Sequence, residues 1–209
     1  MFITFEGPDG SGKTTQIAML AAHLKQQGIS VVTTREPGGT RIGDQVRGCL
    51  HDVHNTAMMP VAEILLYSAS RAQLVGEVIR PALAAGKVVL CDRYADSTIA
   101  YQGYGRGLDL EALVYITDFA TGGLRPDLTI LLSLDISEGL RRRVTQGAEM
   151  NRMDLQAEAF YRRVQAGYRQ LVAAEPERWV VVDGDQPPQI VQQEIQTIVA
   201  ERLAEGDRD

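Results

Sequence analysis

The sequence predicts an α/β fold in which a five-stranded parallel sheet lies between two layers of helices. Five short, almost wholly apolar segments alternate with longer segments that carry apolar residues at helical spacing. Apolar strands of that kind are typical of a parallel sheet covered on both faces. A glycine-rich motif at 7–14 also separates the first strand from the first helix. Such sheets bind ligands at the carboxyl ends of their strands, so we expect the site at that edge.

The elements are predicted in the following order. Apolar runs predict strands at 1–6, 29–34, 87–91, 127–134 and 179–183. Helical spacing, with stops at Gly28 and Gly86, predicts helices at 16–25, 42–52, 60–83, 108–120, 137–145, 155–174 and 188–203. The polar, glycine-rich stretch 101–107 is assigned neither state. We find no repeat or linker, so residues 1–209 are expected to form a single domain with a short lid at about 142–154.

Composition narrows the classes of function. The 209 residues are 44% hydrophobic, which supports a sizeable core, and the net charge of −6 gives no global basic field for nucleic acid. The longest apolar runs are far short of a membrane span. Cys49 and Cys91 match no metal or redox spacing, and an N-terminus that opens into a strand argues against a signal peptide. We therefore expect a soluble cytoplasmic protein.

The stretch Gly7-Pro-Asp-Gly-Ser-Gly-Lys-Thr14 matches G-x-x-x-x-G-K-[ST], the P-loop that binds nucleotide phosphates. Its N–H groups and the following helix dipole face an anion. Lys13 has the reach to contact the β- and γ-phosphates, and the Thr14 hydroxyl is suited to Mg²⁺. The flanking strand and helix weigh against a chance match, so we expect the three-layer α/β/α fold of P-loop NTPases. The predicted nucleotide-binding residues are Gly7, Pro8, Asp9, Gly10, Ser11, Gly12, Lys13, Thr14 and Thr15.

The third predicted strand ends in an acid followed by an arginine. In P-loop proteins an acid at the place of Asp92 holds Mg²⁺ directly or through water; the alternative is a cap on the next turn. Arg93 stands beside the phosphate site, where a guanidinium is a bidentate clamp for phosphoryl oxygens. Its alternative is a surface ion pair. Both residues are expected at the same edge as the P-loop.

Three further features suggest a second ligand. The proline and two glycines of the loop Arg35-Glu-Pro-Gly-Gly39 predict a rigid loop that a ligand can approach closely. Glu36 is suited to hold a backbone group or an arginine in place. The alternative is an ordinary turn. Tyr67 and Arg71 are four residues apart on one helix face, suited to sandwich and hydrogen-bond a planar base. Packing and a surface charge are the alternative there. Gln102 carries an amide that pairs with a base edge.

The region of the predicted lid is rich in arginine. A P-loop enzyme that transfers phosphate must screen charge on the transferring group, and the loop supplies only Lys13. A mobile arginine-bearing lid is the usual source of a second cation. Arg142, Arg143 and Arg152 are the candidates, against the alternative of a solvated helix face.

Taken together, these residues resemble bacterial thymidylate kinase, a P-loop nucleoside monophosphate kinase family, over essentially the whole chain. The P-loop alone indicates only a nucleotide, but the combination of motifs at these spacings is highly specific. The stretches that carry the resemblance are Phe5–Thr15, Thr34–Thr40, Leu66–Arg71, Asp92–Tyr94, Ser97, Ala100–Gly103 and Arg125–Leu128.

The resemblance implies transfer of the γ-phosphate of ATP to dTMP, giving dTDP for dTTP synthesis, with Mg²⁺. It implies a homodimer and a cis peptide bond before Pro37. Asp9 is expected at the sugar 3′-hydroxyl or the Mg²⁺ shell, with Thr14 and Asp92 as the other Mg²⁺ residues. Tyr67 is expected to stack on thymine, and Arg93 to bind the acceptor phosphate. The implied dTMP-binding set is Asp9, Glu36, Pro37, Arg47, Tyr67, Arg71, Arg93, Ser97, Tyr101 and Gln102.

The lid departs from the family pattern, and other functions stay open. Gln146 stands where many relatives are basic, and Asn151-Arg-Met-Asp154 is a loose form of their Asp-Arg-x-Glu stretch. One alternative is a P-loop kinase for another pyrimidine nucleotide or a deoxynucleoside. A nucleotide-binding switch and an inactive scaffold are the others; we find no Asn-Lys-x-Asp guanine-reading tetrapeptide, which weighs against a GTPase.

Overall fold

The computed structural model describes residues 1–145, 152, 153 and 156–206, apart from the side chains at 140, 143, 144 and 206. Within this part of the chain, five parallel strands form one sheet in the order β2-β3-β1-β4-β5. The strands are β1 (Phe2–Glu6), β2 (Val31–Arg35), β3 (Val88–Asp92), β4 (Leu128–Ser133) and β5 (Trp179–Asp183). The five predicted strands are confirmed, with ends shifted by at most two residues.

Helices connect the strands and cover both faces. They are α1 (Lys13–Gln26), α2 (Arg41–His51), α3 (Pro60–Leu74), α4 (Arg80–Ala84), α5 (Ala95–Thr98), α6 (Leu110–Thr121), α7 (Ile136–Thr145), α8 (Glu158–Ala174) and α9 (Pro188–Gly206). A first π-helical segment, Val75–Ile79, joins α3 to α4, and a second, Ile99–Gly105, follows α5. Pro81 has no N–H to donate to residue 77, which favours the wider turn within the long helix predicted at 60–83.

The stretch 101–107 needs a correction, because most of it is helical. The second π-helical segment reaches Gly105 and buries Ala100 and Tyr101 against α8. Its glycines allow close packing: a Cβ on Gly105 would lie 2.6 Å from the Phe160 ring, and one on Gly103 would lie 2.5 Å from a Leu110 methyl. The glycines of this stretch therefore serve tight packing between helices.

The core forms on both faces of the sheet, as predicted. On one face Phe5 and Ile130 pack against α1 and α9, through residues such as Leu20 and Ile195. On the other face two further clusters form, one beneath α3 and α4 and one beneath α8 and the second π-helical segment. The chain is thus a three-layer α/β/α structure. None of the described helices is both long enough and apolar enough to cross a membrane.

The register of the sheet brings the strand ends together. Phe5 lies opposite Asp92, Glu6 opposite Leu131, and Arg35 opposite Asp92. The loop after β1 and the residues after β2 and β3 therefore meet at one edge. Helix α7 packs onto the same loop, since Gly139 approaches it so closely that an added Cβ would lie 2.4 Å from the Asp9 carbonyl oxygen.

Candidate active site

The loop between β1 and α1 has the backbone that the motif predicts. Gly7, Gly10 and Gly12 all have positive φ angles, at 128°, 80° and 92°. At Gly7 a Cβ would lie 2.4 Å from the Leu132 carbonyl oxygen, and at Gly10 one would lie 2.2 Å from the Gly139 carbonyl oxygen. Only glycine fits at both positions. The resulting cradle of backbone N–H groups at the start of α1 suits the phosphates of a nucleotide.

Lys13 is folded back over this loop. Its Nζ donates to the carbonyl oxygens of Gly7 (3.1 Å) and Pro8 (2.9 Å) and lies 3.9 Å from Asp9 Oδ1. Burial, and then the charge of Arg93, lower the pKa of Lys13 below its ordinary value. A bound phosphate would raise the pKa of Lys13 again, because its negative charge stabilises the buried ammonium. The position of Lys13 therefore favours the binding of an anion.

Thr14 and Asp92 form a pair of oxygen groups beside the loop. Thr14 Oγ1 donates to Asp92 Oδ2 over 2.9 Å, across the gap between α1 and β3. Mg²⁺ prefers oxygen ligands and is usually held by one or two protein groups together with substrate phosphates and water. Two adjacent oxygen groups beside an anion cradle fit that ion.

Arg93 sits at the centre of the site and is the one described non-glycine residue with positive φ (68°). Its Nη2 donates to Asp9 Oδ1 (2.8 Å) and to the Tyr101 hydroxyl (3.2 Å), and its Nη1 donates to Ser97 Oγ (3.2 Å). The guanidinium also lies over the Tyr101 ring, 5.0 Å from its centroid. Arg93 therefore lies at the same edge of the sheet as the P-loop and contacts Asp9 of that loop.

Glu6 supports Arg93 from beneath and was not among the predicted site residues. This buried carboxylate accepts from the Tyr94 backbone N–H (2.9 Å), Ser97 Oγ (2.5 Å) and the Tyr168 hydroxyl (2.7 Å). Burial raises the pKa of Glu6, while the charge of Arg93 opposes the rise. The acid at the end of an otherwise apolar strand is a signal that could have identified Glu6; nothing in the sequence pattern singles out Tyr168.

A cavity of about 710 Å³ opens above these residues. Most of the predicted site lines it: Asp9, Gly10, Gly12, Lys13, Thr14, Thr15, Glu36, Pro37, Arg47, Tyr67, Arg71, Asp92, Arg93, Ser97, Tyr101 and Gln102. The P-loop residues Gly7, Pro8 and Ser11 do not line it. Five lining residues were not predicted: Arg35, His51, Tyr94, Thr98 and Met153.

The far end of the cavity is built around Arg71. Its Nε donates to Glu36 Oε2 (2.8 Å), Nη1 to Thr98 Oγ1 (3.0 Å) and Nη2 to the Tyr94 carbonyl oxygen (3.1 Å). Glu36 Oε1 has no hydrogen-bond partner among the described residues, although it is buried. The peptide bond between Glu36 and Pro37 is cis, as the resemblance implied.

Other polar groups complete the lining. Arg47 Nη1 donates to the Pro37 carbonyl oxygen (2.9 Å), and Gln102 Nε2 donates to Glu63 Oε1 (2.8 Å). Burial, followed by the charge of Arg47, lowers the pKa of His51 to about 4, so this imidazole is neutral at physiological pH. The cavity is cationic on balance, because its lining carries five basic side chains and three carboxylates: Lys13, Arg35, Arg47, Arg71 and Arg93 against Asp9, Glu36 and Asp92.

The lid arginines are held elsewhere. Arg142 donates to Glu138 (2.7 Å), the Gly184 carbonyl oxygen (3.0 Å) and Asp185 (2.5 Å). Arg152 is buried and donates to Glu63 and to the Leu50 carbonyl oxygen. Neither lines the cavity. The Arg143 side chain, Gln146, Asn151 and Asp154 lie outside the described residues.

The fold, the P-loop and a cationic cavity beside it define a P-loop phosphotransferase. The thymidylate kinase family model matches residues 5–195. The chain is 52% identical to a thymidylate kinase of Geotalea uraniireducens (strain Rf4), over 98% of this chain and 99% of the relative. It is also 52% identical to one from Roseiflexus sp. (strain RS-1), over 98% and 95%. This chain belongs to the thymidylate kinase family.

A solved structure agrees with this assignment. The crystal structure of thymidylate kinase from Ehrlichia chaffeensis superposes with a TM-score of 0.79 at 35% identity, covering 95% of this chain and 98% of that one. The match extends over both layers of helices, so the predicted three-layer P-loop fold is confirmed.

The support of Arg93 by Tyr168 is testable with Tyr168→Phe. Loss of the hydroxyl removes a hydrogen bond to Glu6 and a contact with Arg93, and we expect a fall in kcat of about tenfold, the cost of roughly one buried hydrogen bond. Steady-state phosphoryl-transfer kinetics measure it. Tyr104→Phe is the matched control, because the Tyr104 hydroxyl makes no hydrogen bond within the described part of the chain. The Tyr104 ring packs on Gly167, the residue before Tyr168 on α8. Equal rates in the two variants would contradict the role of Tyr168.

Proposed function

We infer that the protein transfers the γ-phosphate of ATP to dTMP, giving dTDP. One observation carries this inference. Lys13 and Arg93, the cations of two separate anion sites, meet at Asp9 Oδ1, which lies 3.9 Å from the first and 2.8 Å from the second. A donor phosphate on Lys13 and an acceptor phosphate on Arg93 would face each other across this point. Membership of the thymidylate kinase family identifies the two substrates.

In the proposed mechanism, ATP lies on the residues 7–15 and the dTMP phosphate lies against Arg93, with Arg47 nearby. The acceptor phosphate is already an anion, so no strong general base is needed. Catalysis comes from alignment of the two phosphates and from positive charge around the transferring group. Mg²⁺, when held by Thr14 and Asp92 with Asp9 in its outer shell, would neutralise charge on the ATP phosphates.

The far end of the cavity is proposed to hold the nucleoside of dTMP. Tyr67 lines it and is suited to stack on thymine, while Arg71 and Gln102 supply polar groups for the base edge. Asp9, Ser97 and Tyr101 lie nearer the phosphate end, with Glu36 and Pro37 along the wall. Glu36 keeps Arg71 in place through a fully buried ion pair of 2.6 Å.

The lid, at about 142–154, is proposed to supply a further cation. Arg142, Arg143 and Arg152 remain the candidates, and for Arg142 and Arg152, whose side chains the structure describes, the proposal requires the lid to move. Arg142 would have to leave Glu138 and Asp185, and Arg152 would have to leave Glu63. Moving Arg152 costs more free energy than moving Arg142, because Arg152 is buried and Arg142 is partly exposed. Closure of the lid would exclude water from the transferring phosphate.

The geometry of the cavity also bears on the alternative functions. A deoxynucleoside acceptor has no 5′-phosphate to occupy the Arg93 site, so this cavity favours a nucleoside monophosphate. A kinase for another pyrimidine nucleotide differs only at the base end. The paired placement of Lys13 and Arg93 argues against a switch or an inactive scaffold, neither of which needs an acceptor site.

We also propose a cytoplasmic homodimer. Helices α3 and α6 pack side by side and leave large apolar side chains in solvent, with Phe119 82% and Tyr115 75% exposed on α6, and Val61 60% and Leu65 53% exposed on α3. A contiguous apolar face of this kind is typical of a protein–protein interface. The cytoplasmic location is supported by Cys49 and Cys91, which are unpaired thiols.

The proposed donor and acceptor roles predict that Lys13→Ala and Arg93→Ala each lower turnover of dTMP at least about a hundredfold, because each removes charge from the transferring group. Coupled ADP release measures turnover, and melting curves test whether the fold is retained. Lys25→Ala is the matched control, an exposed lysine on the same helix as Lys13. Near-normal rates in either active-site variant would sink these roles.

The proposed interface predicts that Phe119→Glu produces monomers, since a buried carboxylate without a partner is costly. Sedimentation velocity measures the oligomeric state. Ile190→Glu on α9, where the native residue is 50% exposed, is the control and should leave the dimer intact. A wild-type protein that sediments as a monomer contradicts the proposed dimer.

A further inference from the structure

Glu63, on α3, is a buried carboxylate with three separate donors. It is 1% exposed and accepts from Gln102 Nε2 (2.8 Å), Arg106 Nη2 (2.9 Å) and Arg152 Nη2 (2.5 Å). Burial alone would raise the pKa of Glu63, but the hydrogen bonds from Arg106, Gln102 and Arg152 hold the pKa below its ordinary value. Glu63 is therefore ionised at neutral pH and offers only acceptors.

An ionised carboxylate fixes which way a neighbouring amide points. Gln102 must turn its NH₂ group towards Glu63, because its carbonyl oxygen would be repelled there. The carbonyl oxygen Oε1 is then the group available to the cavity that Gln102 lines. Among the residues that the structure describes, none donates a hydrogen bond to this oxygen. The amide of Gln102 thus presents an acceptor.

An acceptor in this position distinguishes pyrimidine bases. Thymine and uracil carry an N–H at ring position 3, whereas cytosine has an acceptor at that position. A site built to receive an N–H rejects the analogue that lacks it, because its own polar group is then buried without a partner. The orientation of one amide therefore favours thymine and uracil over cytosine.

The same carboxylate also anchors the segment that contains Arg152 and Met153. Arg152 Nε donates to the Leu50 carbonyl oxygen (2.9 Å), and its backbone N–H donates to the His51 carbonyl oxygen (3.2 Å). These carbonyls lie at the carboxyl end of α2, where a cation is favourable. Met153, the next residue, lines the acceptor cavity. Glu63 thus holds a wall of the cavity as well as the amide.

We propose that Glu63 is a positioning residue for base selection: it orients the Gln102 amide with its oxygen towards the base, and it docks Arg152 so that Met153 closes the acceptor cavity. This deepens the proposed function and rests on it. On this proposal Arg152 is a latch of the cavity wall whose charge is matched by Glu63, which leaves Arg142 and Arg143 as the candidates for the lid cation.

The test is the ratio of kcat/KM for dTMP to that for dCMP in Glu63→Gln. An amide at position 63 both donates and accepts, so Gln102 is free to present either group. We expect the ratio to fall at least about tenfold, mainly through a higher KM for dTMP, with the KM for ATP unchanged. Gln102→Leu should lower the ratio equally, and the double variant should show no further fall.

Two controls separate positioning from a general loss of stability. Arg106→Gln removes another ion pair of Glu63 but leaves the Gln102 contact, so it should keep the wild-type ratio. Glu63→Asp retains an ionised acceptor and should restore most of the selectivity. A ratio unchanged in Glu63→Gln, or lowered as much in Arg106→Gln, would overturn the proposal. A wild-type protein without dTMP turnover would instead overturn the proposed function.

A measurement on the wild-type protein covers the case in which Glu63→Gln does not fold. The side-chain NH₂ signals of Gln102, assigned in ¹⁵N-glutamine-labelled protein by their loss in Gln102→Leu, should be shifted downfield by the carboxylate. They should stay in place when dTMP binds, because the base contacts the oxygen. Displacement of these signals by dTMP, with loss of the downfield shift, would show that the NH₂ group turns to the base and would contradict the proposal.

Discussion

Arg93 is held in a left-handed backbone conformation at the end of β3, between the buried carboxylate of Glu6 and the P-loop carboxylate of Asp9. That conformation costs a non-glycine residue about 1–2 kcal/mol, so the surrounding contacts must offset it. Glu6 contributes through Ser97 and Tyr168, each of which contacts both the carboxylate and the guanidinium. In the proposed mechanism, this arrangement sets the position of the acceptor phosphate and therefore its alignment with the donor phosphate.

The electrostatics of the site differ from those of the whole molecule. The chain carries a net charge of −6, yet Lys13, Arg47, Arg71 and Arg93 converge on one cavity. Buried acids hold two of these cations in place: Glu36 pairs with Arg71, and Glu6 lies beneath Arg93. Fixed charges in a partly desolvated cleft act more strongly on phosphate than the same charges in water. The cleft is therefore suited to bind a small anion such as a phosphate.

Local patterns made the strands, the P-loop and most cavity residues predictable, because apolar runs and the motif act over a few neighbouring residues. Glu6 and Tyr168 could not be paired from the sequence, since 162 positions separate them and only the packing of α8 brings them together. The role of Gly103 and Gly105 could not be predicted for the same reason, since it is contact with other segments of the chain. The ion pair of Arg152 with Glu63 could not be predicted either, because the sequence pattern does not reveal which distant acid a charged side chain contacts.

The proposed reaction needs an acceptor that brings a phosphate to Arg93 and a thymine to the base end of the cavity. The most direct test is ADP release with ATP and Mg²⁺, comparing dTMP, dUMP, dCMP, dGMP, AMP and thymidine as acceptors. We expect strong turnover with dTMP, weaker turnover with dUMP and none with thymidine, which has no phosphate for Arg93. Comparable turnover with thymidine, or a preference for dGMP or AMP, would contradict the account.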